Sequence, residues 1–195
     1  MAKENKVKYN LKNVHYAPLS VAADGTLTFG VPVHIPGAVS MSLSAEGETT
    51  PFYADGVAYY IATANNGYSG DVEMALIPDS FRRDILGEVE DAKDKVLLEY
   101  SNVETTPFAW LFEFDGDQHS IRHVLYNCTA TRPNIEGETI SGSKEPKTES
   151  LSLTATMLSD GRVKAKTTAD TTSQVYQDWF KSVWEPSPAP VAEGL

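Results

Sequence analysis

The sequence has a single cysteine, Cys128, and this scarcity excludes two kinds of site. One thiol forms neither a disulfide within the chain nor a zinc site built from several cysteines. Long apolar runs are also missing, because none approaches the about 18 residues of a membrane-spanning helix. The opening residues, MAKENKVKYN, lack the apolar stretch of a signal peptide. We therefore expect no membrane segment, and synthesis in a reducing, cytoplasm-like compartment.

Basic residues are scarce as well. The chain has 16 Lys and Arg against 27 Asp and Glu, for a formal net charge of -11. Binding to phosphate backbones needs concentrated Lys and Arg, so this charge argues against a surface that grips nucleic acid. With 195 residues, 41% of them hydrophobic, the chain is long and apolar enough for one globular domain over residues 1–195.

Catalytic motifs are absent too. Asp115 and Asp117 resemble the start of a calcium loop, but Tyr126 stands where the loop needs a bidentate Glu. His119 and His123 are expected to be ordinary strand or turn residues, and Cys128 a buried filler rather than a nucleophile. No phosphate-binding glycine loop, His-Glu-x-x-His or nucleophile elbow occurs. The sequence predicts no enzyme, no metal and no cofactor.

What the sequence does contain is aromatic β-structure, most clearly in 108–133. Phe108, Trp110, Phe112 and Phe114 alternate with other residues, which is the period of a strand with one strongly apolar face. Asp115-Gly116-Asp117 then predicts a tight turn in which the glycine takes a positive φ. The run 121–131 is the expected returning strand. Further half-buried strands are expected at 39–43, 72–76, 95–104 and 151–157.

A second aromatic stretch, 45–70, holds two hairpin-type signals, Asp55-Gly56 and Asn66-Gly67. Two interpretations remain open. The stretch is either an ordinary meander of the same sheet or a protruding β-arm whose residues are buried against another subunit. For the second case the interface residues are Tyr53, Tyr59, Tyr60, Tyr68 and Asn66.

Two short helices complete the predicted mainly β fold. One begins at Asp79-Ser80, which are expected to cap it, places Phe81, Ile85 and Leu86 on one face and ends at Gly87. The acidic stretch 88–94 is predicted to be a loop. The other helix covers 174–184. Residues 1–10 are expected to form a flexible arm, and 185–195 an extended tail.

Several segments together are similar to the major tail proteins of long-tailed, non-contractile phages of Gram-positive hosts. The resemblance is carried by 8–17, 65–71, 76–87, 108–117 and 122–133, and it extends over most of the chain. It implies a β-sandwich or barrel-like subunit with a flanking helix. Six copies would close a ring, rings would stack into a tail tube, and a β-arm and the termini would bridge neighbouring rings.

The same resemblance implies a virion protein that is made in the host cytoplasm. Its expected partners are further copies of itself and the tape-measure, tail-terminator and distal tail proteins, while genomic DNA passes through the bore without specific binding. Six copies would carry six times the charge of -11, which suits a wall that does not retain phosphate. Asp71, Glu73 and Glu113 are the acids expected to face the bore.

A second function remains open from the residues alone. Exposed tyrosines on a β-sandwich also form platforms that stack on sugars, and Tyr59 and Tyr60 are the candidates. The alternative is therefore a carbohydrate- or protein-binding module.

Overall fold

A computed structural model describes residues 3–139, 142 and 146–187. Residues 1–2 of the expected N-terminal arm and 188–195 of the expected tail lie outside the described residues. The described chain is mainly β, as predicted, with two short helices. The strands are β1 (Lys8–Val21), β2 (Leu27–Phe29), β3 (Val33–His34), β4 (Ala38–Glu46), β5 (Thr49–Ala54), β6 (Val57–Thr63), β7 (Gly67–Met74), β8 (Val89–Glu90), β9 (Leu97–Leu98), β10 (Phe108–Gly116), β11 (Ile121–Ala130), β12 (Glu149–Thr156) and β13 (Lys164–Lys166). The helices are α1 (Asp79–Asp84) and α2 (Ser173–Asp178).

One large antiparallel sheet contains most of the strands, in the order β2-β1-β10-β11-β12-β7-β4. Two short strands join it at the side, since β13 pairs with β11 and β3 pairs with β1. β11 changes partner along its length: 123–125 pair with β13 and 127–130 pair with β12. The sheet therefore divides at Tyr126, between the branch that leads to β7 and β4 and the branch that ends in β13.

The predicted hairpin, β10 and β11, forms the centre of the fold. β10 is buried on both faces from Phe108 to Glu113, because a core lies on each side of it. Phe108, Trp110 and Phe112 belong to an inner cluster, whereas Ala109 and Leu111 belong to an outer cluster. The sequence predicted only one heavily apolar face, but Ala109 and Leu111 on the other face are equally buried.

The inner cluster lies on the face of β10 that carries Phe108, Trp110 and Phe112. It joins residues of β1, β10 and β11 to residues of β7 and β12, among them Val72, Met74, Leu151 and Leu153. α1 and the two residues after it close the cluster, since Phe81, Ile85 and Leu86 are fully buried there. Phe81 makes edge-to-face contacts with Tyr16, Phe108 and Trp110, the arrangement that aromatic quadrupoles favour.

The outer cluster lies on the opposite face of β1, β10 and β11. The C-terminal segment covers it, with Trp179 and Val183 buried against Leu111 and Tyr126. The Tyr126 hydroxyl donates a hydrogen bond of 2.9 Å to the Trp184 carbonyl. The helix itself is shorter than the predicted 174–184 and spans only α2.

Several local predictions were wrong. The central turn comes after Gly116 rather than at it, and Gly116 does not have a positive φ. Its missing Cβ matters for another reason: a Cβ would lie 2.0 Å from the Asn5 amide nitrogen. The stretch 88–94 is not simply a loop, because β8 pairs with β9. The strand expected at 95–104 is reduced to β9.

The helix cap also differs from the prediction. Pro78 occupies the N-cap position of α1, and no side chain makes a capping hydrogen bond there. Gly87 does adopt the left-handed conformation, with φ of 74°. In the described part of the chain, no helix is long and apolar enough to cross a membrane.

The described part of the N-terminal segment is held in place. The Asn5 side-chain oxygen accepts hydrogen bonds from the backbone of Gln118 and His119, and its amide donates to the His119 carbonyl. The Lys6 backbone N–H donates to the Asp117 carboxylate at 2.7 Å. Residues at the start of the chain therefore complete the turn between β10 and β11.

Candidate assembly surfaces

The arm, defined as β5, β6 and the turn between them (residues 49–63), forms a two-stranded ribbon of its own. Its strands pair from Thr49 opposite Thr63 to Ala54 opposite Val57. Asp55 and Gly56 have φ of 52° and 78°, the left-handed values that a two-residue hairpin turn requires. The ribbon is separate from the large sheet, so it is not a meander of that sheet. It is shorter than 45–70 because β4 continues to Glu46 and β7 begins at Gly67.

The arm is exposed along its whole length, and only Ala54 is half-buried. Register partners share a face, so Phe52 and Tyr60 lie on one side and Pro51 and Ile61 on the other. Both faces are therefore apolar. Phe52 is 61% exposed and Tyr59 73%, and neither cluster includes a residue of the arm. An isolated two-stranded hairpin is marginally stable in water. This ribbon therefore lacks a packing surface that would stabilise it.

The predicted interface residues lie in three places, namely the arm, its root and β7. Tyr53, Tyr59 and Tyr60 lie together on the arm and are exposed. Asn66 lies at its root, where its backbone N–H donates to the Glu46 carbonyl. Tyr68 belongs to β7, is half-buried and contacts Lys164 through its hydroxyl. Asn66-Gly67 is therefore not a hairpin turn. Gly67 is required because a Cβ would lie 1.9 Å from the Ala155 carbonyl oxygen.

A polar surface, here called the hydroxyl face, covers the outside of β4, β7 and β12. Cross-strand register aligns one residue from each of the three strands in a row, as with Ser42, Asp71 and Ser152. A second and a third row lie two residues away on either side, because alternate residues of a strand share a face. Its nine positions are Ser40, Ser42, Ser44, Ser69, Asp71, Glu73, Ser150, Ser152 and Thr154. None of the nine is Lys or Arg, so the face is mildly acidic with short side chains.

The two acids of the hydroxyl face are held by neighbouring hydroxyl groups. Ser152 donates to Asp71 at 2.7 Å, and Ser40 donates to Glu73 at 2.8 Å. Hydrogen bonds from Thr148 and then Ser40 lower the pKa of Glu73 below its usual value, because they favour the charged form. Glu73 is therefore ionised at neutral pH. Asp71 is exposed and Glu73 half-exposed.

Glu113 was predicted to face the bore, but its burial contradicts this. It is only 3% exposed. Its carboxylate pairs with Arg122 at 2.6 Å and with Lys12 at 3.3 Å. A charge is tolerated in such a site only with partners of this kind. Glu113 thus fixes β1, β10 and β11 to one another, and it does not present its charge to an open channel.

A cleft lies at the root of the arm, where the sheet divides. It has a volume of about 190 Å³. Its lining combines apolar residues of β4 and β10 with Tyr68, His123, Lys8 and Lys164. We call it the cationic cleft. No short motif in the sequence indicates it, because its residues come from six strands that are distant along the chain.

The two lysines of the cationic cleft lie over aromatic rings. Lys8 Nζ is 4.7 Å from the centre of the Phe114 ring, and Lys164 Nζ is 4.3 Å from that of Tyr68. Both distances are within the range of cation–π attraction. Neither lysine forms an ion pair with a carboxylate of the described residues. Their charge is therefore available to an incoming acid.

Asp115, His123 and Cys128, which were considered as metal ligands or catalytic groups, make contacts that stabilise the fold. Asp115 accepts hydrogen bonds from Asn10 and Ser120 and pairs with Lys12. His123 stacks on Phe112 with ring centres 5.0 Å apart. Cys128 is fully buried, and burial raises the pKa of its thiol far above the usual value. Among residues 3–139, 142 and 146–187, no group of three or more His, Cys, Asp or Glu has the arrangement of a metal site.

No protein-family model matches the chain, and no curated protein matches it. Among solved structures, the chain is similar to the anti-feeding prophage cap, a tube-terminating cap determined by electron cryo-microscopy. The match covers 85% of this chain and 96% of that chain, with 10% sequence identity and a TM-score of 0.42. At this identity no residue role transfers from that protein.

Proposed function

We propose that the chain is a structural subunit of a phage tail, which assembles with copies of itself into stacked rings of six that form the tail tube. The observation that carries the proposal is the arm. It exposes apolar side chains on both faces and packs on neither cluster of its own subunit. Burial of apolar surface contributes about 25 cal/mol per Å², so an assembly that covers the arm gains stability that the lone subunit lacks.

The edges of the sheet support the same function. β4 ends the strand order and, within the part of the chain that the structure describes, no strand pairs with its other side. An unpaired edge offers a row of N–H and C=O groups to a further strand. In a closed ring this edge is covered by the next subunit, and the remaining backbone groups of β4 are satisfied there.

The hydroxyl face is suited to the wall of a DNA channel. Retention of DNA requires Lys or Arg, which neutralise phosphates and release counterions. This face offers Ser and Thr hydroxyls with Asp71 and Glu73 instead. DNA beside such a wall meets weak repulsion and few anchoring points. Tape-measure, tail-terminator and distal tail proteins are the partners that the sequence resemblance adds to this proposal.

Binding of carbohydrate is the competing function, and the exposed Tyr59 and Tyr60 are the observation that favours it. Sites for small ligands combine apolar contact with a few well-placed polar groups. Between Thr50 and Thr63, however, the only charged side chain of the arm is Asp55. The arm therefore suits a protein surface better than a sugar.

Removal of the arm tests the proposal. Glu46 and Gly67 are register partners at the ends of β4 and β7, so an Asn-Gly turn is able to replace residues 47–66. We expect a folded monomer with an unchanged unfolding midpoint that forms no rings or tubes in negative-stain electron microscopy. The intact chain should form them at high concentration.

A matched control separates the arm from apolar exposure in general. Phe52→Ser with Tyr60→Ser should abolish assembly, whereas Leu76→Ser with Val96→Ser should not, although all four side chains are more than half exposed. An intact chain that stays monomeric under every condition would overturn the proposal. Loss of glycan binding by a stable monomer on removal of the arm would favour the alternative instead.

A further inference from the structure

The cationic cleft is too small for most small-molecule ligands. Its volume of about 190 Å³ is below the roughly 300–1,000 Å³ of drug-sized sites. It is large enough for a few side chains. Its walls are apolar where Met41, Leu43, Phe112 and Phe114 line it, and two ammonium groups border it. An occupant should therefore combine an apolar surface with a carboxylate.

The tip of the arm has this chemistry. Asp55 is the only charged residue between positions 49 and 70, and it stands between Tyr53 and Val57 at the turn. Tyr53 and Val57 are 65% and 61% exposed. The chain as a whole has a net charge of -11, whereas the lining of the cleft contains two lysines and no acid. The arm tip and the cationic cleft are thus complementary in charge and in polarity.

The tip cannot fill the cleft of its own subunit. Tyr68 and Leu43, next to the root of the arm, line the cleft. The arm has six register pairs, and at about 3.3 Å per residue its tip lies roughly 20 Å from the root. Both faces of the arm are exposed, so it is not folded back on the body. The tip is therefore presented to another molecule.

We infer that the arm tip of one copy inserts into the cationic cleft of another copy, with Asp55 between Lys8 and Lys164. This inference rests on the self-assembly proposed above and names the contact that joins the copies. The two surfaces are different, and each subunit carries one of each. Such a heterologous contact repeats without closing on itself between two copies, which is what a stack of rings requires.

A charge exchange tests the inference. Asp55→Lys and Lys164→Glu should each raise the critical concentration for assembly about tenfold, because like charges then meet. The double variant restores the attraction between positions 55 and 164, although Lys8 keeps its charge, and should therefore assemble at a lower concentration than either single variant. Asp55→Asn, which tolerates the left-handed backbone, controls for strain at the turn. Lys93→Glu, an exposed lysine elsewhere, controls for the change in net charge.

Cross-linking gives a second measurement that does not depend on the critical concentration. Copies with Asp55→Cys are mixed with copies with Lys164→Cys and oxidised. The native Cys128 is buried and does not compete. We expect a disulfide-linked dimer in this mixture, well above the level given by Asp55→Cys mixed with Lys93→Cys.

The outcomes separate the two proposals. If the original chain forms no rings or tubes, both the proposed function and this contact are wrong. If it assembles but the double variant is no better than the single ones, and the cross-link does not exceed its control, only the contact is wrong. Rescue together with the cross-link supports both.

Discussion

The chain contains two aromatic β-hairpins with opposite surroundings. The central hairpin, β10 and β11, has apolar residues on both faces, and each face packs on a cluster of the same subunit. The arm also has apolar residues on both faces, yet its side chains lie in solvent. The difference shows that apolar content alone does not place a hairpin in a core. The rest of the chain has to supply surfaces that cover it.

For the central hairpin those surfaces come from segments distant in sequence. α1 reaches the inner cluster and the segment around Trp179 reaches the outer one. For the arm, the described part of the chain supplies none. Under the proposed function the missing surfaces belong to other copies. The arm would then be buried in the assembly as the central hairpin is buried in the single subunit.

The largest expected effect comes from the central hairpin. Trp110 is fully buried and contacts Phe81 and Phe108. Trp110→Ala leaves a large cavity and should lower the free energy of unfolding by about 3–5 kcal/mol. Urea denaturation of the monomer measures this. A loss below about 1 kcal/mol would contradict the burial of this face of β10 in the inner cluster.

Acidification should have an intermediate effect on the same hairpin. Burial first, and then the positive charges of Lys8, Lys166 and Lys164, lowers the pKa of His123 from 6.5 to about 4. Between these values the unfolded chain binds a proton that the folded chain does not. Stability is therefore fully present above pH 6.5 and falls as the pH drops toward 4.

From this pKa difference we expect a loss of about 2 kcal/mol between pH 7.5 and 5. Burial also lowers the pKa of His15, which adds a change of the same sign. His123→Gln should flatten the pH profile while leaving the His15 part in place. Urea denaturation of both proteins across this range measures the difference. Identical profiles would contradict the lowered pKa of His123 in the folded chain.

The smallest expected effect on stability comes from the arm. Tyr60 is 63% exposed, so Tyr60→Ala should change the free energy of unfolding of the monomer by no more than about 0.5 kcal/mol. The same change should reduce assembly, measured by sedimentation of tubes. A loss of several kcal/mol in the monomer would mean that the arm already packs within its own subunit and would remove the contrast between the two hairpins.

Local patterns predicted much of this fold. Alternation placed the strands around Met41, Val72 and Leu153, and Asp55-Gly56 was correctly predicted as a hairpin turn. Phe81, Ile85 and Leu86 were correctly predicted to share a buried face, although α1 itself ends at Asp84. These features depend on residues close in sequence, which is why the sequence alone was sufficient.

Features made by distant residues were not predicted. Glu113 was expected in a bore because nothing nearby in sequence shows that Lys12 lies on the neighbouring strand of the sheet, within reach of its carboxylate. The partner change of β11 at Tyr126 and the cationic cleft depend on strand order and register. The exposure of the arm depends on where the rest of the chain packs. No sequence pattern within the arm predicts this.

The contact made by Asn5 has a consequence for the order of folding. Its side chain accepts hydrogen bonds from the backbone N–H groups of Gln118 and His119, more than 100 positions further along the chain. During synthesis Asn5 has no partner until the central hairpin has been made. Contacts of such long sequence separation slow folding, because the intervening loop must close first. The segment around Asn5 is thus among the last parts to dock.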